Sequence, residues 1–190
     1  MTLTKYWLIR SQNVHFAGLR LDDVVFISED IDEAMKNTRV ESEDVLLNIT
    51  GASLGRCTVV PARFPPANVN QHVSIIRCNT KKLIPKYLFY TLQGSTIRNR
   101  IWASENGSSR EGLNFEQIAD FPIDLISLEK QKEIVDYLDQ VTSKIDELLA
   151  AIRDSIALLK ERRSALITAD VTGQISIQEM SKHSQNEVSQ

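Results

Sequence analysis

From about Leu128 to Ala169 the chain contains neither proline nor glycine, and its apolar residues recur in alternating steps of four and three. Ile134, Leu138, Val141, Ile145, Leu148, Ile152, Leu159 and Leu166 form the stripe, with Ser155 and Arg162 at the skipped steps. That is the heptad seam of a coiled coil. Leu149 and Ile156 lie beside it, so the apolar face broadens midway, as a straight helix drifts against a strict seven-residue repeat. At about 1.5 Å per residue the helix measures on the order of 60 Å. Alone it would leave that seam in water, forgoing roughly 1.5–3 kcal/mol for each large aliphatic side chain. A partner helix is required.

The preceding two thirds read differently. Val24–Ile27, Val45–Ile49, Cys57–Val60 and Val73–Arg77 are β-branched runs bounded by turn residues and are expected to be strands. Ser28, followed by Glu29 and Asp30, starts a helix expected to reach about Lys36. Pro85 opens a second helix whose apolar face is Tyr87, Leu88, Leu92, Ile97 and Ile101. Gly107-Ser108-Ser109 reads as a loop, and Asn114 with Gln117 as a capping box for a short helix ending near Phe121-Pro122. The expected architecture is an α+β (mixed α/β) domain over residues 1–127 and one long helix over 128–170. An extension over 171–190 follows, its polar end expected to be disordered.

Charge separates the first domain further. The whole chain carries a formal net charge of −3, so no general basic field advertises nucleic acid. Residues 1–47 carry a net charge of −4, whereas residues 48–110 hold nine bases against Glu105 alone, a net charge of +8. Any anionic partner is met there. No apolar run approaches membrane-spanning length, which points to a soluble, cytoplasmic protein.

Catalytic constellations are not visible. Cys57 and Cys78 have no histidine at ligand spacing and read as buried small residues, and no metal is expected. His72 reads as a satisfied strand-edge residue, and the acidic pairs Asp22-Asp23 and Glu43-Asp44 as solvated turn residues. Between Gly51 and Gly55 there are three residues, not the four of a phosphate-binding P-loop, and Arg56-Cys57 follow in place of Lys and Ser or Thr. A tight turn between strands is the better reading. Neither a base-methylating motif nor a nucleotide-cofactor fingerprint is present. What remains is a set of polar donors in or beside the basic stretch: Arg10, Gln12, Asn13, Ser53, Arg56, Gln71, Arg98, Arg100, Ser109 and Arg110. Arg reads guanine, and Gln or Asn reads adenine, through paired hydrogen bonds.

The ordered segments Trp7-Leu-Ile-Arg10, Asp44 to Arg56, Asn70-Gln71-His72, Pro85-Lys-Tyr87-Leu, Gln131-Lys-Glu-Ile134 and Glu161 to Ile167 followed by Val171-Thr-Gly173 resemble half of a type I restriction-modification specificity subunit. The resemblance implies a target-recognition domain reading one half of a bipartite double-stranded DNA site, then a spacer helix that pairs antiparallel with a second helix. It also implies that methyltransferase subunits dock on the helices and supply the S-adenosylmethionine chemistry, and that a restriction subunit joins through the complex. No cofactor is implied for this chain, which would be a non-catalytic subunit. Two departures stand out. The family carries several dozen residues ahead of the segment matching Tyr6 to Phe16, so the recognition domain is expected to lack that part, and Ile126-Ser127 replace its usual Pro-Pro before the helix. One domain and one helix imply a two-fold homodimer through the seam. The alternative is a coiled-coil assembly or modulatory protein whose shortened domain no longer reads DNA.

Overall fold

The computed structural model describes residues 6–105 and 112–173, and the chain divides into two compact units between Tyr137 and Leu138. In the first unit, β1 (Tyr6–Ile9) is followed by a single 3-10 turn and the small hairpin of β2 (Val14–His15) and β3 (Gly18–Leu19). Then come β4 (Val25–Ile27), α1 (Glu29–Ala34), β5 (Val45–Asn48), β6 (Cys57–Val59), β7 (Ala67–Val69) and β8 (Val73–Ile76). Three helices, α2 (Pro85–Gln93), α3 (Ser95–Glu105) and α4 (Phe115–Ala119), precede α5 (Leu128–Val171).

Two three-stranded sheets organise this unit. In one, β1 lies between antiparallel β4 and parallel β7, with Leu8 opposite both Val25 and Asn68. In the other, β5 lies between antiparallel β6 and β8, with Leu46 opposite Thr58 and Ile75. Every side chain of β5 is buried, because successive residues point to opposite faces and both faces are covered. Val45 and Leu47 join Cys57, Leu88, Leu92, Ile97 and Ile101 in one core. Leu46 joins Ile9, Val14, Val60, Ala67, Val69 and Val73 in the other. The continuous run Val45-Leu-Leu is what a strand walled on both sides requires.

The expected strands are present, and the Gly51–Gly55 segment is a turn joining β5 to β6, with φ of 72° and 80° at its glycines. The long helix expected from Pro85 is broken. At Gly94 the backbone is extended, with φ −63° and ψ 151°, and α3 restarts at Ser95. The apolar spacing carries across the break, so Leu88, Leu92, Ile97 and Ile101 still share one core. Ser28 flanks α1 in extended conformation but makes no side-chain capping bond; Glu29, Asp30 and Asp32 supply the favourable charge in the first turn. The Asn114–Gln117 capping box is formed, with both reciprocal bonds at 2.8 Å.

Two readings are corrected. Asp44 is not a solvated turn residue: it is buried, and its carboxylate receives Arg77 Nε and Nη2 at 2.8 Å and the Glu41 N–H at 2.7 Å. The turn conformation falls instead on Glu43, with φ 66°, so Asp44 enters the base of the sheet. Cys78 is only half-buried, whereas Cys57 is fully buried; burial pushes the Cys57 thiol up to about 12 and the Cys78 thiol up to about 11. The Gly107–Ser109 loop and the residues beyond 173 lie outside the described residues.

In α5, Gln131 and Val135 are buried. The Gln131 carbonyl accepts from Ile84 N at 2.9 Å, and its amide donates to Lys82 O at 2.9 Å and Ile126 O at 2.8 Å. That anchors the first turns within the first unit. The second unit is the helix from Leu138 onward, with Ile145, Leu148, Leu149, Ile152, Ile156, Leu159 and Leu166 all exposed. Among the described residues no helix is long and apolar enough to cross a membrane.

Candidate nucleic-acid interface

Asn48, the last residue of β5, builds the site. It is fully buried, and its amide nitrogen donates to Ser11 O at 2.8 Å and Ser53 Oγ at 3.0 Å, drawing the turn after β1 against the glycine turn. Both glycines in that turn have left-handed backbones, which lets the chain reverse within a few residues of the core strand. An open groove of about 390 Å³ results, walled by Ser11, Gln12, Thr50, Ser53, Arg56 and His72. Since Ser53 Oγ accepts from Asn48, its own proton is left to donate into the groove. Thr50 Oγ1 and His72 Nδ1 are 2.7 Å apart, so His72 is hydrogen-bonded as expected. Arg56 adds a cation.

The structure thus gathers Gln12, from the turn after β1, with Ser53 and Arg56, from the turn between β5 and β6. It does not gather the rest. Asn13 is fully buried: its carbonyl accepts the Arg10 N–H at 2.9 Å, and its amide donates to Arg20 O and Asp23 Oδ1 at 2.8 Å. With both ends engaged, it braces the turn. Arg10 is half-buried and donates through Nη2 to Asp23 O at 2.8 Å. Gln12 also donates to the Asp23 carboxylate. The Gln12 hydrogen bond, then Asn13 and the Arg10 charge, hold Asp23 below the usual carboxylate range. Gln71 is exposed in the turn before β8, beside the groove residue His72 but outside the groove lining.

Of the remaining arginines, Arg98 lies on α3 and shares a second, smaller cleft with Arg56. Arg100 is exposed, donates to Asp120 O at 3.0 Å and lines neither cavity. Arg77, one of the nine bases of the positive stretch, is neutralised by Asp44 and Glu41. Ser109 and Arg110 lie outside the described residues. Among the described residues, no group of three or more His, Cys, Asp or Glu is placed to hold a metal ion. Sequence reasoning missed Asp23, which holds three of the expected reading residues, because nothing in an Asp-Asp pair distinguishes a solvated carboxylate from a clamp.

Residues 6–158 match the family model of the type I restriction modification DNA specificity domain. The specificity subunit of the type I restriction enzyme EcoBI from Escherichia coli is 24% identical over 171 residues, covering 90% of this chain and 36% of the relative. That of StySPI from Salmonella potsdam is 24% identical over 183 residues, covering 93% and 38%. The chain therefore spans little more than a third of the length of either relative. Among solved structures, the HsdS subunit from Thermoanaerobacter tengcongensis superposes with a TM-score of 0.62 at 20% identity, over 77% of this chain and 38% of that one. A chain from a study of complex assembly and conformational transition in the type I R-M system gives the same TM-score and coverage at 19% identity. These share the fold described above: mixed sheets and helices with a long helix last. With most of its length inside the family model, this chain belongs to the type I restriction-modification DNA specificity domain family.

Proposed function

We propose that the chain is a DNA-reading, non-catalytic component of a type I restriction-modification complex, with methyltransferase subunits docking on its helix and a restriction subunit joining through them. The observation that carries the reading is the convergence of Gln12, Ser53 and Arg56 on one open groove, a mixed set of amide, hydroxyl and guanidinium groups suited to base edges and phosphates. Methyl transfer from S-adenosylmethionine belongs, on this reading, to the partner subunits. The test is selection of bound duplexes from random oligonucleotides by the chain reconstituted with its methyltransferase subunit. A defined site should emerge, and Arg56→Ala together with Arg98→Ala should flatten the salt dependence of binding by a slope of about 2, near 0.9 per lost phosphate contact. Selection of no defined site would overturn the reading.

The helix pairs, we infer, with a second antiparallel copy of itself. Beside the exposed stripe Ile145, Leu149, Ile152, Ile156 and Leu159, a charged residue recurs every seven positions: Asp139, Asp146, Arg153 and Lys160. The order is acid, acid, base, base. An antiparallel copy centred near Leu148–Leu149 sets Ile145 level with Ile152, Asp146 near Arg153 and Asp139 near Lys160, so the same surface complements itself across a two-fold axis. Two readers related by that axis would select an inverted repeat with a fixed gap. Asp146→Arg should weaken self-association in sedimentation, and adding Arg153→Asp should restore it; a monomer at micromolar concentration would refute the pairing.

A further inference from the structure

The second cleft holds chemistry that the groove does not. Its walls are Trp102 and Arg98 from α3 and Phe16 from the turn between β2 and β3, with Leu54, Gly55, Arg56 and Ile101 completing a concavity of about 170 Å³. Trp102 and Phe16 are large aromatics left 55% and 44% exposed, and both face this one cleft. The Arg98 guanidinium lies 5.4 Å from the centre of the Trp102 ring, one helical turn away, which holds that indole while leaving a cation at the rim. Gly55 completes the packing. Its backbone is left-handed, and a Cβ there would come within 3.2 Å of the Ile101 side chain, so a larger residue at this position would crowd the cleft wall. Arg56 lines both cavities.

We propose that this cleft receives a single unstacked nucleobase from the bound strand. The ligand that fits is flat and apolar on its faces, to lie on Trp102 and Phe16, and is tied to an anionic backbone that Arg56 and Arg98 can meet. A nucleobase with its phosphates has both properties. A concave site takes in an extruded base; a wedge that opens the duplex from outside would have to project. The inference rests on the groove reading, because Arg56 is common to both, and extends it from base edges of paired DNA to the face of an unpaired base.

The experiment uses the full chain carrying Trp7→Phe, so that Trp102 is the only indole, and compares two duplexes of one length and sequence, one perfectly paired and one with a single bulged base. Indole fluorescence should be quenched more by the bulged duplex, which should also bind more tightly. Phe16→Ala and Trp102→Ala should each remove about tenfold or more of that extra affinity, while binding to the paired duplex persists and Trp102→Phe retains most of the preference. Both aromatics are substantially exposed, so these changes spare the cores. Equal affinity and equal quenching with the two duplexes would overturn the base-receiving cleft and leave the groove reading standing. Binding to neither duplex would overturn both.

Discussion

Strand β5 and the helix beyond Leu138 both carry large aliphatic side chains in a regular pattern, yet they meet opposite fates. Val45, Leu46 and Leu47 are each fully buried because one chain supplies walls on both sides. Ile145, Leu148, Ile152 and Leu159 are 52%, 61%, 46% and 62% exposed within their own unit. The first unit closes two cores around β5, and the second carries an apolar face that is exposed within its own unit. Apolar content therefore identifies an element, while the period of the pattern separates the two cases: a short continuous run is buried in a sheet, and a long heptad stripe stays exposed within its own unit.

The contrast can be tested from its strongest side first. Leu46→Ala and Leu47→Ala should each destabilise the first unit by about 2–5 kcal/mol in urea unfolding, since each leaves a cavity in a separate closed core. A smaller loss, about 1–3 kcal/mol, is expected from Asn13→Ala, which strips a buried brace from the Arg10 N–H and from Asp23. The Asp32 carboxylate gives a pH-dependent effect. It is held below the usual range by hydrogen bonds from Arg39, at 2.5 Å and 3.1 Å, and from Asn68 at 2.6 Å. A depressed folded value means that its contribution is fully present above the unfolded value, about 3.9, and is lost as the pH falls through the folded one. Urea midpoints followed from pH 5 to pH 2 should show that loss in the native chain and a flatter curve in Asp32→Asn. The smallest effect is the sharpest comparison: Ile145→Asp with Ile152→Asp should shift first-unit stability by no more than about 0.5 kcal/mol while abolishing self-association in sedimentation. A large loss of first-unit stability would show that the two regions are not independent.

Reading the sequence recovers elements whose own residues carry the pattern. Val45–Asn48, the Asn114 capping box and the helix from Leu128 are of that kind. It passes over β7, where Asn68 interrupts Ala67 and Val69. That asparagine is buried because Asp32 and Thr38, thirty or more residues away, supply its hydrogen bonds. It also reads through Gly94, since the apolar spacing continues on both sides of a break that only the backbone records. In the candidate interface the residue types were legible and their convergence was not. Asn13 and Gln12 are adjacent amides with the same capacity to read adenine, but one is a buried brace and the other walls the groove. Hydrogen bonds with Arg10, Arg20 and Asp23 make that distinction, and the residue types alone do not record it.

Gln131 sets the phase of the first turns of α5. Three hydrogen bonds on one side-chain amide, drawn from the segment ahead of α2 and from the residue preceding the helix's N-terminal flank, resist any spin of its first turns about their own axis. A slip of one residue there would turn those side chains by about 100° and exchange the buried Val135 for its neighbour Ile134. The clamp works like the index mark on a dial: a single glutamine decides which stripe of the opening turns faces the protein and which stripe faces out.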